Sequence, residues 1–376
     1  MVNKVIFENY KPFEGSHEIE IRPITLLGGK NNSGKSSLTH LICLLERLLG
    51  LKKDIYYKHF LDDIVNMYTF HNMLTTGLTL GIENERGCRL SFSFVRNEGK
   101  IYLYRLCVKE KEESYEKIFS KDEVQANTNI FDQVEPVLQQ WNYSMKDWAF
   151  STDYLGPVRR LPESLYRVKN NHPVQMGRYG ENAFELLVDS WKDDRVLFDN
   201  VSSWMGSHLD GQHVDIIHLP VMDEYYWFQT ASNPSGLSVP IEEVGEGFSQ
   251  VLPVIVQSYL THPADIHIVE QPALHLHPAA HACVAERLVE SVTQAGNRYI
   301  IESHSENILL ALRRAVSDPS SQLRSRDVVI YFVDKESQNA RLDKIEILDN
   351  GDLTSWPTGV FSEGFDLMKD IIRNRR

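Results

Sequence analysis

The chain of 376 residues is poor in cysteine and in basic charge, and it has no long apolar run. Its 4 cysteines, Cys43, Cys88, Cys107 and Cys283, form no CxxC pair. That removes the zinc-ribbon and thioredoxin-type readings and leaves no disulfide framework. Lysine and arginine number 39 against 52 acidic residues, a formal net charge of −13. Such a surface repels the phosphate backbone and excludes a broad, sequence-blind nucleic-acid coat, so any such contact has to be local. Arg159-Arg160, Arg313-Arg314 and the group Arg373, Arg375 and Arg376 are the candidate basic patches, although a solvated face accounts for each one alone. The longest apolar stretch, 251–260, is broken by Pro253 and Gln257 and is far short of a bilayer span. Residues 1–8 read as a strand without a signal-peptide core, so no membrane association and a reducing cytoplasm are expected.

The remaining composition is ordinary for a globular protein, 42% hydrophobic and 24% charged, in a length that allows two or three domains. Segments 4–8, 17–21 and 24–27 read as strands, the third apolar enough to be central in a sheet. It runs into Gly28-Gly29-Lys30-Asn31-Asn32-Ser33-Gly34-Lys35-Ser36-Ser37, and then Leu38, Leu41, Ile42, Leu45, Leu48 and Leu49 recur with helical spacing. Strands are expected at 77–83, 88–95 and 101–108, a solvated turn or helix end at 109–117, and helices at 129–141 and 181–191. Three prolines make 155–179 an extended loop. From 237 onward, strands at 237–243, 265–269, 298–302, 328–333 and 344–348 surround helices at 250–260, 279–292 and 306–316. That alternation predicts an α/β fold with a mainly parallel central sheet.

The segment 29–36 fits G-x-x-x-x-G-K-[ST] in full. In that pattern the backbone amides from Gly29 through Asn31, Asn32, Ser33 and Gly34 wrap phosphates. Lys35 reaches the terminal phosphates, and Ser36, with Ser37 beside it, opens the helix and ligands Mg²⁺. Such a loop needs a carboxylate at a strand end to hold the metal, and Ile266-His267-Ile268-Val269-Glu270 supplies one.

Three further strings, Gly245-Glu246-Gly247-Phe248-Ser249-Gln250, Gln271-Pro272-Ala273-Leu274-His275-Leu276-His277-Pro278 and Ser303-His304-Ser305-Glu306, follow in order. Together they resemble ABC-type ATPase heads of the SMC, RecF, RecN and OLD (overcoming lysogenisation defect) branch. The similarity is to bacterial ATPases that read VG-x-G-x-SQ, E-[EQ]-PE-x-HLHP and THSE. Asn9-Tyr10-Lys11-Pro12-Phe13 is similar to the opening NF-x-x-F of that branch. The middle is covered only by Tyr154-Leu155-Gly156-Pro157-Val158-Arg159 and Tyr179-Gly180-Glu181-Asn182.

The resemblance implies ATP and Mg²⁺ as ligands, with Ser36 and Glu270 on the metal. It implies a signature motif at Gly245, Gly247, Ser249 and Gln250 that closes on the nucleotide of an opposite subunit. His277 falls at the D-loop position and His304 at the switch position. It also implies a head-to-tail homodimer or higher oligomer, with Lys35, Glu270, Gln271 and His304 as the catalytic set. Two positions depart from the pattern. Gln271 stands where a catalytic glutamate is usual, and an amide orients water but takes no proton, so slow hydrolysis is expected. Ala273 replaces a second glutamate. His275, His277 and His281 make a weak zinc alternative, and no Asp-x-Asp follows to suggest a nuclease module.

The expected organisation is an ATPase head split into 1–110 and 236–376 around a mixed α/β insertion, 111–235, for partner or nucleic-acid contacts. The resemblance points to a sensor or scaffold ATPase beside a separately encoded nuclease or toxin in antiphage defence or DNA maintenance. A nucleotide-gated clamp with little hydrolysis and a transporter ATPase subunit are the alternatives.

Overall fold

The computed structural model describes the chain apart from residues 51–76, 98–99, 121–129, 169–171, 220–223, 233–235, 237, 262–263, 337–338, 357–370 and 375–376. The chain forms two compact units, one of Met1–Thr152 with Val329–Ile345, the other of Asp153–Val328 with Glu346–Arg376. This division differs from the three segments expected from the sequence, which remain a proposal about where head and insertion meet.

The first unit opens with β1 (Val2–Tyr10), β2 (Phe13–Glu20) and β3 (Ile24–Gly29), then α1 (Lys35–Leu49). Strands β4 (Leu78–Asn84), β5 (Arg89–Asn97), β6 (Lys100–Glu110) and β7 (Glu113–Ile118) and helix α2 (Ile130–Gln140) follow. Six of these strands make an antiparallel sheet in the order β2-β1-β4-β5-β6-β7. Its inward residues alternate as the pleat requires: Val5 and Phe7, Leu80 and Ile82, Leu90 and Phe92, Leu106 and Val108 are all buried. The stretch expected as a solvated turn or helix end at 109–117 is instead largely β7, an edge strand with Glu113 and Glu116 exposed and Lys117 half-buried. Charge on an edge strand is compatible with a ladder and discourages further pairing.

Strand β3 is buried along its whole length and belongs to a different sheet, beside the hairpin Val328–Glu336 and Asn339–Ile345. The apolar stripe of α1 is the one the sequence predicts, with Leu38, Leu41, Ile42, Leu45, Leu48 and Leu49 all buried. Glu46 on the same helix accepts hydrogen bonds from the backbone N–H (2.9 Å) and the hydroxyl of Thr152.

The second unit begins with β8 (Thr152–Leu155) and β9 (Leu165–Arg167), then α3 (Ala183–Lys192) and α4 (Val196–His208). Strands β10 (Gln212–His218), β11 (Tyr225–Ser232) and β12 (Ser238–Pro240) form an antiparallel sheet with β9. Helix α5 (Glu246–Tyr259), β13 (Ile266–Glu270), α6 (Pro278–Ala295), β14 (Tyr299–Glu302) and α7 (Glu306–Ser317) then alternate. Strands β13 and β14 pair in parallel, Glu270 opposite Glu302, and β8 lies on the other side of β13. The α/β class is as expected. The sheets are mixed, because the hairpin that follows α7 is antiparallel. Among the described residues no helix is long and apolar enough to cross a membrane.

Candidate nucleotide-binding site

In the first unit the loop between β3 and α1 is shaped by residues that leave the usual backbone regions. Gly29 has φ +138°, Asn32 +62° and Gly34 +113°. A Cβ at Gly29 would overlap the carbonyl oxygen of Val333, so the hairpin backbone lies directly against the loop entrance. A Cβ at Gly34 would stand 2.8 Å from Pro12 Cγ and 3.4 Å from the Phe13 ring. The sequence motif around Asn9 thus forms the floor under the loop. Asn9, at φ +56°, donates to the Gly77 carbonyl (2.9 Å) and accepts from the Gly15 amide (2.9 Å), which fixes the turn into β2. Lys11 sits 5.4 Å above the Tyr10 ring, and burial lowers the pKa of its ammonium.

Lys35 is only 3% exposed, and its ammonium donates to the Lys30 carbonyl at 2.6 Å. The cation is thereby folded across the loop. No side chain caps α1, and its first turn carries no acidic residue. The positive end of the helix dipole therefore faces the loop without a competing carboxylate, which is the local field an anion requires. Ser33 is 1% exposed, and its hydroxyl has no hydrogen-bond partner among the described residues. Asn31 and Asn32 are exposed, while Ser36 and Ser37 are half-buried at the helix start.

In the second unit Glu270 ends β13, 2% exposed, and its carboxylate accepts from the Tyr154 hydroxyl at 3.0 Å. The chain then turns sharply at Gln271, φ +49°, whose N–H donates to the Glu302 carbonyl at 2.8 Å. Arg159, on the loop after β8, donates from a single Nη2 to the carbonyls of Glu270 (2.7 Å) and Gln271 (3.2 Å). Arg159 is 3% exposed, and its Nε and Nη1 have no partner among the described residues. Burial pushes the guanidinium down to about 10, and the Glu270 carboxylate opposes that shift. The sequence marked Arg159 as half of a basic pair and as the end of the Tyr154–Arg159 string, with no role of its own. Its unusual placement follows from the turn at Gly156, whose N–H donates to the Arg178 carbonyl at 2.8 Å.

The signature segment lies at the exposed N-terminus of α5, four residues earlier than the helix start expected at 250. A Cβ at Gly247 would stand 2.6 Å from the His275 carbonyl oxygen, so the segment following β13 packs against the first turn of α5. Gly245 is exposed, Gln250 is buried, and Ser249 is buried with its hydroxyl turned back to the Glu246 carbonyl at 2.9 Å. Exposed His277 caps α6, its Nδ1 accepting from the Ala279 N–H at 3.3 Å. His281 contacts the Ser305 hydroxyl (2.7 Å) and the Leu276 carbonyl (3.1 Å) through its two ring nitrogens, so both are engaged with the protein. His304 is exposed on the loop between β14 and α7, where the Ser303 hydroxyl accepts from the Ser305 N–H (3.0 Å). No cluster of three or more metal-ligating side chains occurs among the described residues.

Residues 139–311 match a family model described as "AAA domain, putative AbiEii toxin, Type IV TA system". Among curated proteins nothing matches the chain. Among solved structures the chain is similar to an SMC head bound to the C-winged helix domain of ScpA, at 12% identity and TM-score 0.50, over 92% of this chain and 98% of that one. An SMC head domain from Thermotoga maritima is matched at 10% identity and TM-score 0.43, over 92% and 99% of the two chains. An SMC head with an extended coiled coil from Pyrococcus furiosus, bound to the C-terminal domain of ScpA, is matched at 10% identity and TM-score 0.48, over 98% and 99%. The chain thus has the α/β fold of an SMC-type head, and its residues 139–311 are similar to an AAA-type ATPase domain.

Proposed function

We propose that the chain is an ATP-binding, slowly hydrolysing ATPase head that serves as the sensor or scaffold subunit of a bacterial antiphage defence or DNA-maintenance complex. A separately encoded nuclease or toxin would be the effector. The observation that carries the nucleotide part is the loop at 29–36. There a buried Lys35 is folded onto the Lys30 carbonyl at the mouth of an uncapped helix with no acid in its first turn. The toxin–antitoxin wording of the matching family supports the defence setting.

The residues fit ATP with Mg²⁺. The orphaned Ser33 hydroxyl and the half-buried Ser36 sit at the helix mouth, and Glu270 offers a buried carboxylate at a strand end. By the resemblance alone, Ser36 and Glu270 would be the metal ligands, and the metal would supply charge neutralisation for the β- and γ-phosphates. Lys35 and the loop amides bind and orient the triphosphate. Gln271 orients the attacking water without taking its proton, which makes turnover slow. In a head-to-tail dimer, the exposed first turn of α5 at Gly245 and Gly247 and the exposed His277 would face the nucleotide of the partner. Ser249, bonded to its own helix, would have to rotate to join them. With Arg159 buried, Arg313-Arg314 and the group Arg373, Arg375 and Arg376 remain the candidates for nucleic acid, and the Arg159-Arg160 pair does not.

The amide at Gln271 favours a second reading, a clamp that binds ATP and hardly hydrolyses it. Nucleotide affinity and phosphate release measured on wild type, Lys35→Ala and Gln271→Glu separate the two. Lys35→Ala is expected to weaken binding by at least about tenfold, and Gln271→Glu to raise turnover. Unchanged binding in Lys35→Ala refutes the site, and wild-type binding without turnover selects the clamp.

A further inference from the structure

We propose that Arg159 is a positioning residue for Gln271, a guanidinium clamp that fixes the peptide carrying the water-orienting amide beside the Glu270 carboxylate. The inference rests on the ATPase reading and adds a residue to its machinery.

The turn after β13 explains why a clamp is needed. Up to Glu270 the backbone is held by its parallel neighbour β14, with registered pairs from His267 to Glu270. At Gln271 the chain leaves the sheet in a left-handed conformation, φ +49°, which glutamine adopts at a cost. The Gln271 N–H is still held by the Glu302 carbonyl (2.8 Å), and its carbonyl accepts from the Leu274 N–H (3.2 Å). Arg159 adds the remaining restraint by bridging the Glu270 and Gln271 carbonyls from one nitrogen. The two peptides on either side of the turn are therefore tied to one rigid planar group. The orientation of the Gln271 side chain depends on this turn, and small misplacements of a water-orienting group cost much rate.

A neutral donor in place of Arg159 would bridge the same carbonyls without burying charge. The guanidinium is instead nearly enclosed, with Nε and Nη1 unpartnered among the described residues and its nearest opposing charge on Glu270. The charge therefore strengthens the two bonds to the carbonyls at a cost in desolvation that a purely structural bridge would avoid. Arg159 also lines a cavity of about 360 Å³ with Val158, Arg160, Tyr179 and Glu181.

The test is steady-state ATP hydrolysis with separate nucleotide-affinity measurements on Arg159→Lys, Arg159→Ala and both in a Gln271→Ala background, with circular dichroism confirming folding. Lysine has no planar fork to bridge both carbonyls, so kcat is expected to fall about tenfold or more while affinity stays within about threefold. Arg159→Ala should fall further and recover several-fold in millimolar guanidinium, with no recovery in sodium chloride at equal concentration. In the Gln271→Ala background the Arg159→Lys change should have little additional effect on kcat, because the group it positions is gone. Wild-type kcat in Arg159→Lys, or fully additive losses in the double variant, overturns the inference. Loss in Lys35→Ala alongside a wild-type kcat in Arg159→Lys leaves the ATPase reading standing and removes only the clamp. Nucleotide binding without turnover in the wild type overturns the clamp and keeps the binding site. Absence of binding overturns both.

Discussion

Substituting Gly29 by alanine should break the seat of the nucleotide loop, and the size of the effect follows from two separate costs. The first is backbone conformation: φ +138° lies in territory that L side chains rarely adopt, at about 1–3 kcal/mol. The second is space. The added Cβ would overlap the Val333 carbonyl oxygen and lie 3.0 Å from its carbon, which is backbone and has no rotamer to yield. Val333 is paired with Leu342 inside the hairpin registered from Ile330 to Glu336, so it moves only if the hairpin moves. Overpacking of this kind costs about 1–3 kcal/mol, for a total of about 2–6 kcal/mol. Gly15→Ala is the control. Gly15 is also left-handed, φ +73°, but a Cβ there meets nothing within 4 Å, so only a conformational cost of about 1–2 kcal/mol applies. Urea unfolding followed by circular dichroism gives both values from the shift in midpoint at constant slope. If Gly29→Ala costs no more than Gly15→Ala within about 0.5 kcal/mol, the hairpin does not press on the loop and the reasoning fails.

The contact between the first turn of α5 and the segment after β13 gives a second comparison. Gly247→Ala should destabilise by about 1–3 kcal/mol from its 2.6 Å approach to the His275 carbonyl, partly offset by about 1 kcal/mol of helix propensity. Gly245→Ala, with nothing within 4 Å, should stay close to wild type in the same denaturation assay. Alkaline pH supplies another. Burial pushes the Tyr299 phenol up to about 12 from its ordinary 10. The folded chain therefore keeps this proton between pH 10 and 12 while the unfolded chain releases it. Its stabilisation is complete below pH 10 and lost as pH rises to 12, about 3 kcal/mol in all. Tyr299→Phe should flatten that part of the stability profile, at the expense of the hydroxyl contact with Ser291 (2.8 Å) at every pH. An unchanged alkaline slope in the variant would contradict the assignment.

The parts of the molecule that the sequence announces are those built from local pattern. The apolar spacing of α1, the buried run of β13 and the helical stripes of α6 and α7 depend on neighbours within a few turns, and they appear nearly where expected. Helix α4 was not predicted, because Val201, Ser202, Ser203 and Gly206 are poor helix formers. It is held by burial of Phe198, Val201, Trp204 and Met205, a tertiary effect with no local signal. Strand β7 was masked by its charge, since solvated edge strands and turns share a composition. At the candidate site, the loop residues and Glu270 were legible as motifs. Arg159 stood in a matching string, but its contact was not legible, because it lies in two carbonyls more than a hundred positions away along the chain. The inward turn of Ser249 likewise depends on a rotamer that a motif does not encode.

The hairpin against Gly29 also sets an order of events during synthesis. The Glu20 N–H donates to the Tyr331 hydroxyl at 2.7 Å across 311 residues of sequence, and Lys344 reaches Glu20 across 324. The loop at 29–36 is thus synthesised roughly 300 residues before the Val333 backbone that seats it. At about 5–20 residues per second, the loop waits roughly 15–60 seconds for its support. Through that interval β3, buried along its whole length in the folded chain, is without the hairpin that lies beside it. The loop can therefore take its seated shape only after Val333 has been made.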